Sequence, residues 1–204
     1  MKVIGLNGSP RKQGNTGYLV RYALEQLENK GIETEYIDLI DYNLGQCTGC
    51  YKCVEAKKCV IQDDFLEIFD KMVEADGILL GSPSYHSSMT PMLKAVLDRA
   101  GFSGRWYVND MKSKEDSYEW KGNAFSGKLV APITVARRAG QNFTFAQILL
   151  WATANDCIVP GSTYWNIGVA GKGGAMDACD DAEGKSILNH LADNFEFLLK
   201  KINQ

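Results

Sequence analysis

The chain is poor in histidine. His86 and His190 are the only two in 204 residues, and with no G-x-S-x-G anywhere a hydrolytic triad finds no support. No run of 18 apolar residues occurs, so a membrane-spanning helix is not expected. An excess of positive charge is also missing. Lys and Arg number 22 against 25 Asp and Glu, a net charge of -3, which excludes the basic footprint of a nucleic-acid binder. The first eight residues lack the apolar region of a signal peptide, so a cytoplasmic location is expected. In that setting six cysteines read as thiols or metal ligands rather than a disulfide framework.

A hydrophobic content of 45% over this length is enough for one core, so residues 1–204 are read as a single domain. Apolar runs alternate with helical patterns in the rhythm of a parallel sheet. Strands are expected at 3–6, 34–38, 78–80, 128–134 and 157–159, and helices at 15–30, 64–75, 90–99, 143–155 and 182–201. Asn15 suits the first helix as N-cap and Gly31 as its stop. Asp63-Asp64 and Asp98-Arg99 read as a helix start and a helix-end pair. Two stretches break the rhythm. Residues 101–127 carry Trp106, Tyr107, Tyr118 and Trp120 around a charged tip at 112–116, as a surface hairpin, a cofactor lid or a subunit contact. Residues 161–181, with Gly168, Gly171, Gly173 and Gly174, read as an irregular, mobile tail.

Chemistry concentrates in four places. Residues 8–16 join the first strand to the first helix, where unpaired backbone N–H groups and the helix dipole favour an anion. Ser9, Arg11, Asn15 and Thr16 add side-chain donors around Gly14, and no Gly-Lys-Ser/Thr lies in this loop to make it a Walker loop. Strand three ends in Gly81-Ser82-Pro83, the same tripeptide as Gly8-Ser9-Pro10. In a doubly wound sheet of order 2-1-3-4-5 both lie on one crevice at the topological switch point. Pro83, Ser84, Tyr85, His86 and Ser87 then offer hydroxyls, amides and an aromatic edge, and Ala136, Arg137, Arg138, Gly140 and Gln141 face the same rim after strand four. Finally, Cys47, Cys50, Cys53 and Cys59 form C-x2-C-x2-C-x5-C on a loop spanning 46–60. Four thiolates so spaced suit a [4Fe–4S] cluster, with cofactor-free thiols and structural zinc as the alternatives. Cys157 and Cys179 stand apart and read as structural or incidental.

The segments GSPRKQGNT, PSYHSSMTPMLKAVLDR and ARRAGQN resemble the flavin-contacting segments of the flavodoxin-like NADPH-dependent FMN reductase superfamily. With CTGCYKCVEAKKCVIQDD between them, the chain resembles the iron-sulfur flavoproteins over about residues 1–160. The resemblance implies a flavodoxin-like α/β fold. It implies FMN, its phosphate on Ser9, Arg11, Asn15 and Thr16 and its ring between residues 83–87 and 136–141. It further implies a homodimer or homotetramer with a cluster near a flavin. The expected activity is FMN-dependent electron transfer to a redox partner or small-molecule acceptor, with NAD(P)H as a candidate donor that Arg137 and Arg138 would meet. The rival expectations are a cluster-free reductase and a non-catalytic redox carrier or sensor.

Overall fold

A computed structural model describes residues 1–110, 119–171 and 177–203. The chain runs β1 (Lys2–Asn7), α1 (Asn15–Glu28), β2 (Glu33–Asp38), α2 (Cys53–Ala56), α3 (Phe65–Glu74), β3 (Gly77–Pro83), α4 (Pro91–Val108), β4 (Leu129–Ala136), α5 (Gln141–Ala154), β5 (Ile167–Val169) and α6 (Ala182–Ile202). The strands form one sheet of order β2-β1-β3-β4-β5, parallel throughout. This is the doubly wound flavodoxin-like architecture that the sequence leads one to expect.

Two-residue alternation along buried strands sends neighbouring side chains to opposite faces, and each face collects its own helices. Val3 and Leu79 join Leu129, Ala131 and Ile133 under α1 and α6, where Leu19, Leu24, Leu27, Leu188 and Phe195 close one core. Ile4, Leu6, Ile78, Leu80 and Val130 face the other way, under Phe65, Ile68, Phe69, Leu93, Leu97 and Ile148 of α3, α4 and α5.

Four features depart from the expectation. Helix α4 does not stop at Arg99 but continues to Val108, absorbing the first turns of the supposed insertion. Gly101 and Gly104 do not break it, because both are sites of close approach. A side chain at 101 would meet Trp151 and Asn155, and one at 104 would meet the Phe125 ring, so the cost of about 1 kcal/mol for glycine in a helix is accepted for packing. Trp106 is consequently a core residue, 5% exposed, whereas Trp120 is 50% exposed. The expected tip at 112–116 and Tyr118 lie outside the described residues.

The edge strand is also displaced. Around 157–159 the chain makes only a bridge to β4, Ile158 donating to Lys128 O and accepting from Val130 N, both at 2.9 Å. The next N–H that a parallel ladder would use belongs to residue 160, which is proline and has none. The chain leaves the sheet there and returns as β5, inside the stretch expected to be irregular. Gly168 is thus a strand residue and Gly171 is described beyond it, while Gly173 and Gly174 lie outside the described residues.

The third departure is small. The N-cap of α1 is Gly14, since the Asn15 side chain turns away from its own helix and accepts the Ala178 N–H at 2.9 Å. The fourth concerns two charged pairs. Asp98 pairs with Lys94 on the surface, whereas Arg99 is buried against Asp63.

Candidate functional site

The two Gly-Ser-Pro tripeptides meet at the carboxyl edge of the sheet. Gly8 donates its N–H to Gly81 O at 2.8 Å, and Thr90 Oγ1 donates to Gly8 O at 2.7 Å while Thr90 N–H donates to Ser82 Oγ at 3.1 Å. Thr90 also caps α4 through Leu93 N, so one side chain fixes a helix start and the phosphate-type loop together. Within that loop Asn7 Oδ1 accepts Ser9 N–H, and Ser9 Oγ accepts Arg11 N–H, both at 3.1 Å. The first turn of α1 has neither a side-chain cap nor an acidic residue, which leaves its N–H groups and dipole available to an anion.

Ser9, Arg11, Gly14, Asn15, Thr16, Pro83, Ser84, Tyr85, Ala136 and Arg137 line a single cavity of about 350 Å³. Arg138, Gly140 and Gln141 instead line an adjoining one of about 380 Å³, against Tyr164 and Trp165. The two segments touch at a glycine: Gly140 has φ +93, and a side chain there would meet the hydroxyls of Ser84 and Ser87. Gln141 Oε1 is buried without a partner beside them. His86 and Ser87 line neither cavity. They form an exposed turn with φ 49 and 61, closed by reciprocal hydrogen bonds between Tyr85 and Ser88.

That turn is braced by α5, whose Gln147 Oε1 accepts from Ser88 Oγ at 3.0 Å and Met89 N at 3.2 Å. Ser84 N–H is committed to Val135 O at 2.8 Å and Tyr85 N–H to Ser88 O, so neither is left for a ligand ring. Residues 13, 135, 170 and 177 complete the first cavity and were not anticipated. Gln13 was readable from its place in the loop. Ala170 and Asp177 reach the site only because the chain rejoins the sheet at β5, which no local pattern signals.

The four cysteines line a second site, a cavity of about 210 Å³ shared with Tyr51, Ile61, Arg99 and Phe102. Its floor is a sharp loop with Gly49 and Tyr51 at φ 64 and 58, then the one-turn helix α2, which ends at Lys57 with φ 59. Among the described residues no three Cys, His, Asp or Glu side chains yet close into a metal-binding group. The thiols differ in readiness. Hydrogen bonds from the Lys52 backbone and the Thr48 hydroxyl pull Cys50 below the usual thiol range, and burial pushes Cys53 above it. Cys157 is inert by comparison, its thiol pushed up to about 12 by burial, and Cys179 is exposed.

The loop is held at both ends by one side chain. Arg99 donates to Gly45 O at 2.9 Å and forks onto Asp63 at 2.6 and 2.8 Å. Asp63 also accepts the N–H groups of Gly45 and Phe65, at 2.7 and 3.2 Å. Desolvation would raise the Asp63 carboxyl, but the guanidinium and these two N–H groups outweigh it and hold the group below the usual carboxylate range.

The family model for NADPH-dependent FMN reductases matches residues 1–172. An iron-sulfur flavoprotein of Methanocaldococcus jannaschii is 54% identical over 100 residues, 49% of this chain and 52% of that one. The chain thus spans about half of that relative. An iron-sulfur flavoprotein of Methanosarcina thermophila is 32% identical over 163 residues, covering 79% of this chain and 78% of the relative. In structure, the chain is similar over its whole length to RosB with bound 8-demethyl-8-formylriboflavin-5'-phosphate, at a TM-score of 0.76, 20% identity and 80% coverage of that chain, a likeness of fold. No described helix is long and apolar enough to cross a membrane. By sequence match over most of its length, this chain belongs to the NADPH-dependent FMN reductase family and, within it, to the iron-sulfur flavoproteins.

Proposed function

We propose that the protein is an FMN-dependent oxidoreductase that exchanges electrons between FMN in the carboxyl-edge cavity and a [4Fe–4S] cluster in the cysteine cavity. The observation that carries this reading is the coexistence of two separate cavities in one chain, one with an uncapped helix start and one lined by four thiols. Both donor sets fit their groups. At the carboxyl edge, Gly14 leaves room beside Ser9 and Arg11 that a side chain would fill, and Gln141 Oε1 is a buried acceptor with no partner. In the other cavity, four thiols match the ligand count of a cubane.

When bound, FMN exchanges electrons in pairs or singly and a cluster exchanges them singly, so the pair interconverts two-electron and one-electron chemistry. The protein supplies position and charge. Arg11, Ser9, Thr16 and the first-turn N–H groups of α1 would hold the FMN phosphate, while the Asn15 side chain is tied to the tail segment through Ala178 N–H. Pro83, Ser84 and Tyr85 on one side and Ala136 and Arg137 on the other would hold the ring, whereas His86 and Ser87 stand outside the cavity, and Arg137, with Arg138 in the adjoining cavity, would favour negative charge on that rim. A homo-oligomer fits the exposed Phe143 and Leu150 of α5, at 62% and 69%, and the exposed pair Tyr164 and Trp165.

The FMN-loaded protein is expected to oxidise NADPH or NADH continuously when an artificial acceptor is present. A single stoichiometric reduction without turnover would instead mark a carrier. Arg11→Ala is expected to weaken FMN binding about ten- to hundredfold, corresponding to about 1.5–3 kcal/mol for a charged hydrogen bond. Fluorescence titration of the apoprotein measures it, and an unchanged affinity would remove Arg11 from the phosphate site.

A further inference from the structure

Arg99 does more than a brace requires. Its side chain is 1% exposed and paired with an Asp63 side chain that is 5% exposed, which suffices to tie the two ends of the cysteine loop to α4. Yet the same guanidinium also reaches Cys59, Nη2 standing 3.3 Å from Sγ, and lies over the Phe65 ring at 4.1 Å. Its Nε is buried with no partner. A full positive charge, fixed by a carboxylate on one side and an aromatic face below, is therefore aimed at one of the four sulfurs from within the cavity wall.

Hydrogen bonds to ligand sulfurs, net charge and exposure set the potential of a thiolate-bound cluster, and outer-shell partners orient the ligands themselves. We propose that Arg99 is a positioning residue that orients the Cys59 sulfur as a cluster ligand and raises the reduction potential of the cluster, with Asp63 as the countercharge that limits the rise. This rests on the reading of the cysteine cavity as a cluster site. Adding one electron there adds one negative charge beside the guanidinium, makes and breaks no bond and takes up no proton. The electron comes from reduced FMN in the enzyme and from dithionite in the test. Lysine would keep the charge but not the fork to Asp63 and the reach to sulfur together.

The test is an anaerobic potentiometric titration of the FMN-loaded, iron-reconstituted protein, followed by the electron paramagnetic resonance of the reduced cluster. Arg99→Gln is expected to lower the reduced-to-oxidised ratio at the wild-type midpoint at least tenfold, about 59 mV for a one-electron couple. Arg99→Lys shifts it the same way by less. Asp63→Asn, which keeps the guanidinium and removes its countercharge, shifts it upward. Opposite signs separate tuning from bracing, because a mere brace is lost equally in Arg99→Gln and Asp63→Asn. If Arg99→Gln fails to retain iron, Arg99→Lys and Asp63→Asn still carry the comparison of sign, and bound FMN reports that each variant is folded. Unchanged midpoints, or shifts in one direction only, in variants that keep iron would overturn the proposal while leaving the cluster reading intact. Reconstituted wild type without iron and sulfide would overturn both.

Discussion

Cys50→Ser is expected to bring iron and sulfide to background while leaving bound FMN at the wild-type level. Cys50 is exposed, and it is the cysteine whose thiol is drawn below the usual range, by the Lys52 backbone and the Thr48 hydroxyl. It is therefore disposed to serve as a thiolate, which a serine hydroxyl at neutral pH cannot replace. FMN survives because the two cavities share no lining residue. They also sit at different levels of the same helix. Thr90 anchors the carboxyl-edge loop, and Arg99 enters the cysteine cavity nine residues later, a rise of about 14 Å along α4. Delivery to a one-electron acceptor should then fall well below reduction of the flavin by a chemical donor. The absorption spectrum and iron and sulfide assays on anaerobically reconstituted protein decide the matter. Loss of FMN together with iron would show the sites to be interdependent. Wild type without iron would promote the cluster-free reductase, and stoichiometric zinc a structural metal site.

The strands that could be read from sequence were those buried on both faces. Ile78-Leu79-Leu80 is a continuous apolar run because helices cover the sheet on each side, and its neighbours β1 and β4 are apolar for the same reason. The carboxyl-edge site was legible because phosphate-type loops are local: Ser9, Arg11 and Thr16 act within one strand-to-helix turn. What failed depended on contacts distant in sequence. Arg99 looked like half of a helix-end pair, and its burial is decided by Asp63, 36 positions away, which itself looked like part of a helix start. The edge strand failed on one missing N–H at Pro160, a breaker whose register against β4 only the pairing reveals. The stretch from residue 101 was read as an insertion although α4 runs on through it, because a glycine that allows close approach, as Gly101 and Gly104 do, and one that breaks a helix look alike in a single sequence.

The same misreading defines the second large effect, on stability. Phe125→Ala is expected to destabilise the fold by about 3–5 kcal/mol. Expected from the sequence to lie in an irregular insertion, Phe125 is 0% exposed and belongs to the core under α3, α4 and α5. Its ring stands 6.0 Å from Phe69 and 5.5 Å from Trp151, against the space that Gly104 leaves open. The neighbours cannot collapse into the vacated volume. The backbone around it is pinned by Ala124 N–H on Gly104 O at 3.0 Å, Phe125 N–H on Asn123 Oδ1 at 3.1 Å and Asn123 Nδ2 on Asn155 Oδ1 at 3.1 Å. The substitution therefore removes both the transfer free energy and the packing of a closed aromatic cluster. At about 2–4 °C per kcal/mol for a chain of this size, the melting temperature should fall by roughly 6–20 °C. Phe197→Ser is the control. That ring is 59% exposed on α6, and its replacement should change stability by no more than about 0.5 kcal/mol. Calorimetric or denaturant unfolding of the two variants compares them directly, and a Phe125→Ala protein melting within about 2 °C of wild type would return residues 119–127 to the surface. The loss should also reach the cysteine cavity first, since Gly104 follows directly on Phe102 and Ser103 of its wall, whereas the carboxyl-edge loops are held from Thr90.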